Sequence, residues 1–244
     1  MFFFSKAKPI LKDLIEDYVD IHSHLLPGID DGSKDFDNTL GLINSLLDIG
    51  FRQFTATPHI IKNIWDNDRI SIENAAASTV EKLHEVNLNV PFKAAAEYMM
   101  DESFSKLVAS EPLLAIKDNF VLVEMSYINP PMQLYDILFE VRIAGYQPVL
   151  AHPERYLFYH NNFEEYKKLK KAGCLFQINL LSSVGYYGKN VAKTAQLLLE
   201  KGMIDFTGSD VHHENHTKSF NRKLEIADSK SLKEASRRND FFKV

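Results

Sequence analysis

Short apolar runs recur along this chain, and several stop at a histidine or an acidic residue. The runs Phe54-Thr55-Ala56-Thr57-Pro58, Phe92 to Ala96, Phe120 to Val123 and Pro148 to Ala151 lead into His59, Glu97, Glu124 and His152, and His24 and Asp210 follow the first and last runs in the same way. The separations are 35, 38, 27, 28 and 58 residues. A unit of about 30 residues holds one strand, a crossover helix and two short loops. The last gap is two units, with Cys174-Leu175-Phe176-Gln177-Ile178-Asn179 as the strand between.

Helical periodicity fills the gaps. Asp35 suits an N-cap ahead of Leu40, Ile43 and Leu47, which share a face up to Gly50. Leu134, Ile137, Leu138 and Val141 predict a second helix ended by Gly145, and Gly173 and Gly202 close two more. Arg69 to Asn87 reads as a further helix, Ala-rich and charged. Seven strands are predicted, at about 18–22, 51–57, 92–97, 120–126, 147–151, 174–180 and 204–209.

Seven βα units build either a distorted TIM-like (β/α)7 barrel or a doubly wound open sheet. Ligand-type residues at the C-terminal ends of nearly every strand converge only in a barrel. In an open sheet, at about 4.8 Å per strand, the outer strands would lie tens of ångströms apart. The expectation is therefore an α/β barrel, one domain over 1–244.

Composition narrows the class. A chain of 244 residues that is 45% hydrophobic fits one sizeable core. The net charge of -5 argues against a nucleic-acid partner, whose phosphate backbone calls for a basic surface. A single cysteine, Cys174, rules out an internal disulfide and fits a reducing compartment, so a cytoplasmic location is expected. The start, Met1-Phe2-Phe3-Phe4, is too short for the core of a signal peptide and is followed by Lys6 and Lys8. Phe2 to Phe4 are expected to pack on the barrel or to be disordered, with no insertion into a membrane.

The chemistry lies in the polar residues that end the runs. His22 and His24 are two apart and share a face of a strand, so both reach one metal ion; Asp210 and His212 repeat that spacing near the other end. With Asp31, His59, Glu97, Glu124 and His152 they make nine candidate ligands. A catalytic zinc with a solvent position takes three protein ligands, so nine point to two or three divalent ions. Imidazole and carboxylate without thiolate suit manganese, zinc or iron. Singly, each residue has a plainer reading: His59 as a hydrogen-bonded rim residue, Asp31 as turn chemistry in Asp30-Asp31-Gly32-Ser33. Glu124 would be costly to bury unpaired. Joint placement at successive strand ends is what those separate readings leave unexplained. His84, His160, His213 and His216 are read as ordinary polar side chains.

The strings Asp20-Ile21-His22-Ser23-His24, Leu26-Pro27-Gly28-Ile29-Asp30-Asp31-Gly32, Ala56-Thr57-Pro58-His59, Ala96-Glu97-Tyr98, Ala151-His152-Pro153-Glu154-Arg155-Tyr156 and Gly208-Ser209-Asp210-Val211-His212 resemble the polymerase-and-histidinol-phosphatase (PHP) superfamily. More narrowly, the chain resembles the bacterial manganese-dependent protein-tyrosine phosphatases of capsule and exopolysaccharide clusters, over roughly Tyr18 to His212. The resemblance implies three metals: one held by His22, His24, Glu97 and Asp210, a second by Glu97 as a bridge with Glu124 and His152, a third by Asp31, His59 and His212. It implies a phosphate-binding, catalytic role for Arg155. A further arginine implied near position 217 is absent, since Asn215-His216-Thr217-Lys218 stands there; Lys218 and Arg222 are the candidate substitutes for that substrate contact. The implied partner is a membrane-anchored tyrosine kinase with a tyrosine-rich tail.

On that reading, dications acidify a water and, with Arg155, offset charge on the phosphoryl oxygens during in-line displacement. A cysteine-dependent phosphatase is excluded, because Leu180 stands six residues after Cys174 where its Cys-x5-Arg cradle needs arginine. An amidohydrolase usually carries a lysine where this chain has Glu124. A histidinol-phosphate or other small-molecule phosphatase of the same superfamily, and a non-catalytic metal-binding regulator of a kinase, are the alternatives. The apolar and aromatic loops Ser126-Tyr127-Ile128-Asn129-Pro130-Pro131 and Tyr156-Leu157-Phe158-Tyr159 favour a phenyl ring over a sugar or imidazole.

Overall fold

Parallel strands alternate with helices throughout the computed structural model, which describes residues 8–244; Phe2 to Phe4 lie outside the described residues. The strand segments are β1 (Tyr18–Val19), β2 (Phe51–Ala56), β3 (His59–Ile60), β4 (Phe92–Ala94), β5 (Glu97–Met99), β6 (Phe120–Glu124), β7 (Gln147–Ala151), β8 (Leu175–Asn179) and β9 (Phe206–Gly208). They pair in the orders β1-β2-β4 and β3-β5-β6-β7-β8-β9, every pairing parallel.

The expected strand 92–97 is broken into β4 and β5 at Ala95-Ala96, and a short further segment, β3, follows β2 across Thr57-Pro58, past the expected end at 57. Pro58 has no N–H to give to a ladder. The pairing continues across the break nonetheless, because Ala95 N donates to Ala56 O at 2.8 Å and Glu97 N to Pro58 O at 3.0 Å.

Closure decides between barrel and open sheet. Ser23 and Val211 form a parallel bridge, His24 N donates to Val211 O at 3.0 Å, and Asp210 N to His22 O at 2.8 Å, so the first and last βα units meet. Deeper in that seam a side chain stands in for the ladder. The Asn239 amide donates to Val19 O at 2.9 Å and to Thr207 O at 2.8 Å, satisfying both strands where they do not pair.

The helices α1 (Phe36–Ile49) and α2 (Arg69–Glu85) start at capping aspartates: Asp35 accepts from Asn38 N, and Asp68 forms a capping box with Ser71. Gly50 ends α1 at φ 122, a conformation that costs a residue with a Cβ. The structure continues through α3 (Glu102–Ser110), α4 (Leu134–Ile143), α5 (Phe163–Lys171), α6 (Lys189–Glu200), α7 (Glu214–Ser219) and α8 (Ser229–Arg238). The apolar pattern does not foretell α3, α7 and α8. They are short and bury little; α3 buries only Phe104, and α8 only Leu232 and Ala235.

Alternation along β6 sorts the interior. Val121 and Val123 join the large apolar cluster beneath the helices, whereas Leu122 joins Val149, Ala151, Phe206 and Phe242 in a smaller one. Glu124 is two residues beyond Leu122 and therefore shares its face, at the C-terminal mouth above that plug. No helix among the described residues is long and apolar enough to cross a membrane.

Candidate metal centre

All nine expected ligands gather at the C-terminal mouth. Glu97, fully buried on β5, is their hub: its Oε2 lies 3.3 Å from His22 Nε2, 3.4 Å from His24 Nε2 and 3.2 Å from His59 Nδ1, and its Oε1 is 3.0 Å from His152 Nε2. Asp210 Oδ1 is a second meeting point, 3.3 Å from His22 Nε2, 3.4 Å from His24 Nε2 and 3.5 Å from His212 Nδ1. Glu124 Oε1 lies 2.8 Å from His59 Nδ1, and Asp31 Oδ1, at the exposed rim, 3.5 Å from His59 Nε2 and 3.6 Å from His212 Nε2.

Within 4.8 Å of one another stand donor atoms of His24, Asp31, His59 and His212; of His22, His24 and Asp210; of His22, Glu97 and His152; and of His59, Glu97 and Glu124. These groups overlap the ligand sets implied by the resemblance without reproducing them, since His24 joins Asp31, His59 and His212, and His59 joins Glu97 and Glu124.

The donors fit cations better than each other. Glu97 Oε2, Glu124 Oε1 and His59 Nδ1 are buried and close, yet none has a hydrogen bond, because their lone pairs point to shared space rather than along N–H directions. Hydrogen bonds at Nδ1 fix three of the imidazoles. His22 Nδ1 bonds Gln177 Oε1 at 2.6 Å, His24 Nδ1 bonds Asp30 Oδ2 at 2.7 Å, and His212 Nδ1 bonds Asp210 O at 2.9 Å. Each leaves Nε2 facing inward, as partners of metal-ligating histidines do.

Two candidate-site residues have an awkward backbone conformation. His152 (φ 37) and Asp210 (φ 51) are left-handed, a state uncommon for residues with a Cβ and frequent where function requires it. At Gly32 a Cβ would collide with the His24 carbonyl, so glycine lets the Asp30-Asp31 loop fold against its ligand.

Arg155 lies beside the cluster on the turn after β7. Its guanidinium is sandwiched between Tyr127 and Tyr187, 4.7 and 4.2 Å from the ring centres, and Nη1 donates to Asp210 Oδ2 at 2.8 Å. That oxygen also accepts from Asn179 Nδ2 at 2.6 Å. Tyr127, Arg155, Tyr187 and Asp210, with His213 and His216, line a cavity of about 260 Å³ above the ligands.

Lys218 and Arg222 do not line it. Lys218 is ion-paired to Glu214 at 2.8 Å, and Arg222 lies over Tyr186 at 5.4 Å. His213 and His216, read from sequence as plain polar side chains, stand at the mouth instead. Asp30, Gln177, Tyr127 and Tyr187 are the other contributors that strand-end reasoning misses. Only the aromatic loop around Tyr127 gave a sequence signal.

Burial alone would lower the His22 pKa, but Glu97 and Asp210 outweigh it and raise it to about 9. His24 is likewise raised, with Asp30 the chief cause, whereas burial drives His152 down to about 4. In the metal-free chain, then, protons occupy His22 and His24, and a metal must displace them. A folded pKa near 9 above an ordinary value near 6.5 stabilises the metal-free protein fully below pH 6.5, and that contribution fades as pH rises to about 9. Metal affinity moves the opposite way. The rise in Tm on adding a divalent cation to chelator-treated protein should therefore grow from pH 6 to pH 9, with proton release in weakly buffered titrations. A metal-induced shift that is flat over this range would show that the imidazoles bind no displaceable protons.

A family profile described as "Capsular polysaccharide synthesis, CpsB/CapC" matches residues 18–236. Tyrosine-protein phosphatase YwqE of Bacillus subtilis is 27% identical over 196 residues, covering 80% of this chain and 77% of that protein. Tyrosine-protein phosphatase CpsB of Streptococcus pneumoniae is 28% identical over 202 residues, covering 80% and 83%. A solved structure, from work on YwqE of Bacillus subtilis and CpsB of Streptococcus pneumoniae as metal-dependent tyrosine phosphatases, superposes with a TM-score of 0.76 at 26% identity, covering 83% of this chain and 84% of that one.

Proposed function

Because the chain belongs to the CpsB/CapC family of capsular polysaccharide synthesis proteins, we infer that it is a metal-dependent phosphatase that hydrolyses phosphotyrosine in proteins. The observation that carries this reading is the convergence of nine nitrogen and oxygen ligands on unsatisfied carboxylate oxygens beside a clamped arginine. His22, His24, Asp31, His59, Glu97, Glu124, His152, Asp210 and His212 would hold two or three divalent ions, manganese foremost, with zinc and iron also compatible with the donor set. Bound there, such ions would supply positive charge for the phosphoryl oxygens and acidify water to a nucleophile at neutral pH.

The chain's own residues do the rest. Arg155 spends Nη1 on Asp210 and keeps its remaining N–H groups for phosphoryl oxygens, its orientation fixed by the tyrosine faces. His22, His24 and Glu97 have no exposed surface, so the reacting phosphate must reach down into the mouth. A tyrosyl phosphate extends further from its backbone than a seryl phosphate, and Tyr127, 45% exposed at the rim, offers its ring aromatic surface. The partner on this reading is a membrane-anchored tyrosine kinase with a tyrosine-rich tail, dephosphorylated in the cytoplasm.

Steady-state kinetics at one pH and one metal test the substrate class. A phosphotyrosine peptide should exceed its phosphoserine counterpart and histidinol phosphate in kcat/KM by at least about tenfold, equivalent to about 1.4 kcal/mol of differential transition-state binding. A preference for histidinol phosphate would move the protein to the small-molecule branch.

A further inference from the structure

A second cavity, of about 300 Å³, opens beside the metal centre between the first turns of α2 and α3. The two share a wall. His59 and Glu97 face the ligand cluster, while their neighbours Ile60 and Tyr98 line the second cavity. The loop that roofs it is built into the site: Ile61 and Trp65 exchange backbone hydrogen bonds at 3.0 and 2.8 Å, and the Asn67 amide donates to both Ile29 O and His59 O at 2.9 Å.

The lining has two characters. Trp65, Phe104 and Leu107 give an apolar surface, and Asp66, Asp68 and Asp101 give carboxylates. Lys62, the cation of this lining, is already paired with Asp66 at 3.0 Å. Asp68 and Asp101 each use Oδ1 to cap a helix, accepting from Ser71 N at 2.7 Å and Phe104 N at 2.9 Å, which leaves Oδ2 of each for an incoming donor. An apolar stem ending in a positive charge matches both characters, since lysine and arginine bury their methylenes and keep the charged head at a polar rim.

We propose that this cavity receives a lysine or arginine side chain two to four residues from the phosphotyrosine on the substrate polypeptide, making it a specificity site for a basic flanking residue. The proposal rests on the phosphotyrosine-protein reading above. An extended peptide advances about 3.3 Å per residue, so two to four residues reach about 7 to 13 Å from the phosphotyrosine.

The test uses phosphotyrosine peptides bearing Lys, Ala, Leu or Asp at positions two to four on either side. Lysine at the matching position should raise kcat/KM by about fivefold over alanine through KM, the range of an exposed charge pair, and high salt should erase the gain. Asp68→Asn with Asp101→Asn keeps both caps, because asparagine caps as well as aspartate, while removing both charges. That double variant should lose the lysine preference and still hydrolyse p-nitrophenyl phosphate at the wild-type rate. Trp65 is the chain's single tryptophan, so its emission should shift on titration with a non-hydrolysable lysine-bearing phosphonate peptide and not with the alanine one. Equal rates for lysine and alanine peptides, a leucine preference, or a lysine preference that survives the double variant would each overturn the proposal. Failure to hydrolyse any aryl phosphate would instead overturn the phosphatase reading, and the Trp65 titration would still decide the cavity.

Discussion

Glu97→Gln is expected to lower turnover by at least about 10³-fold, since metal charge stabilisation is worth several kcal/mol and each 1.36 kcal/mol is tenfold. The reason is connectivity. Glu97 places its two oxygens within 3.4 Å of His22, His24, His59 and His152. Glutamine keeps the size of the side chain but replaces one converging oxygen with an N–H donor aimed at the same space. Metal content should fall together with kcat, and circular dichroism should show the barrel retained. Cys174→Ser in the same series should hydrolyse an aryl phosphate at close to the wild-type rate. Burial raises that thiol to about 12, so no thiolate is available as a nucleophile at neutral pH. Wild-type kcat with full metal in Glu97→Gln, or loss of activity in folded Cys174→Ser, would refute the metal-based assignment.

Arg155→Ala should reduce kcat by about 10²-fold or more, the scale for removing a preorganised donor aimed at developing charge. It should do so at saturating metal. The ion pair from Nη1 to Asp210 Oδ2 adds a second consequence, because Arg155 also steadies a candidate ligand. Asn179 Nδ2 still holds that oxygen at 2.6 Å, so metal affinity should weaken by no more than the about 10- to 100-fold seen when an outer partner of a ligand is removed. Titrating metal into wild type and variant separates the two effects. Arg155→Lys should recover little of kcat, since an ammonium lacks the planar fork that stacks between two rings. If kcat returned to the wild-type value at high metal, Arg155 would serve the metal centre and not the substrate.

The ligand cluster was legible because its signal is local. His22 and His24 two apart, a helix ended by Gly50, and a ligand-type residue closing each apolar run are features of contiguous chain, and a βα period of about 30 residues turns them into positions around a barrel mouth. The same logic fixed α1 and α4, which are rich in apolar residues, and passed over α3, α7 and α8, which carry few apolar residues to bury. It also expected an unbroken strand over 92–97, where Ala95-Ala96 interrupt the ladder, and did not foresee the short segment His59–Ile60 beyond Pro58.

What orients the ligands was decided by tertiary structure alone. Gln177 reaches His22 across 155 residues, and Asn239 seals a seam between strands far from it in sequence. Tyr127 and Tyr187 clamp Arg155 from two different loops, and the turn after Asp210 and the start of α7 bring His213 and His216 to the cavity while Lys218 and Arg222 turn elsewhere. Strand periodicity states which side of a sheet a residue faces. It does not state where a loop side chain of the right chemistry will be carried, because that depends on the packing of segments whose mutual distance the sequence does not encode.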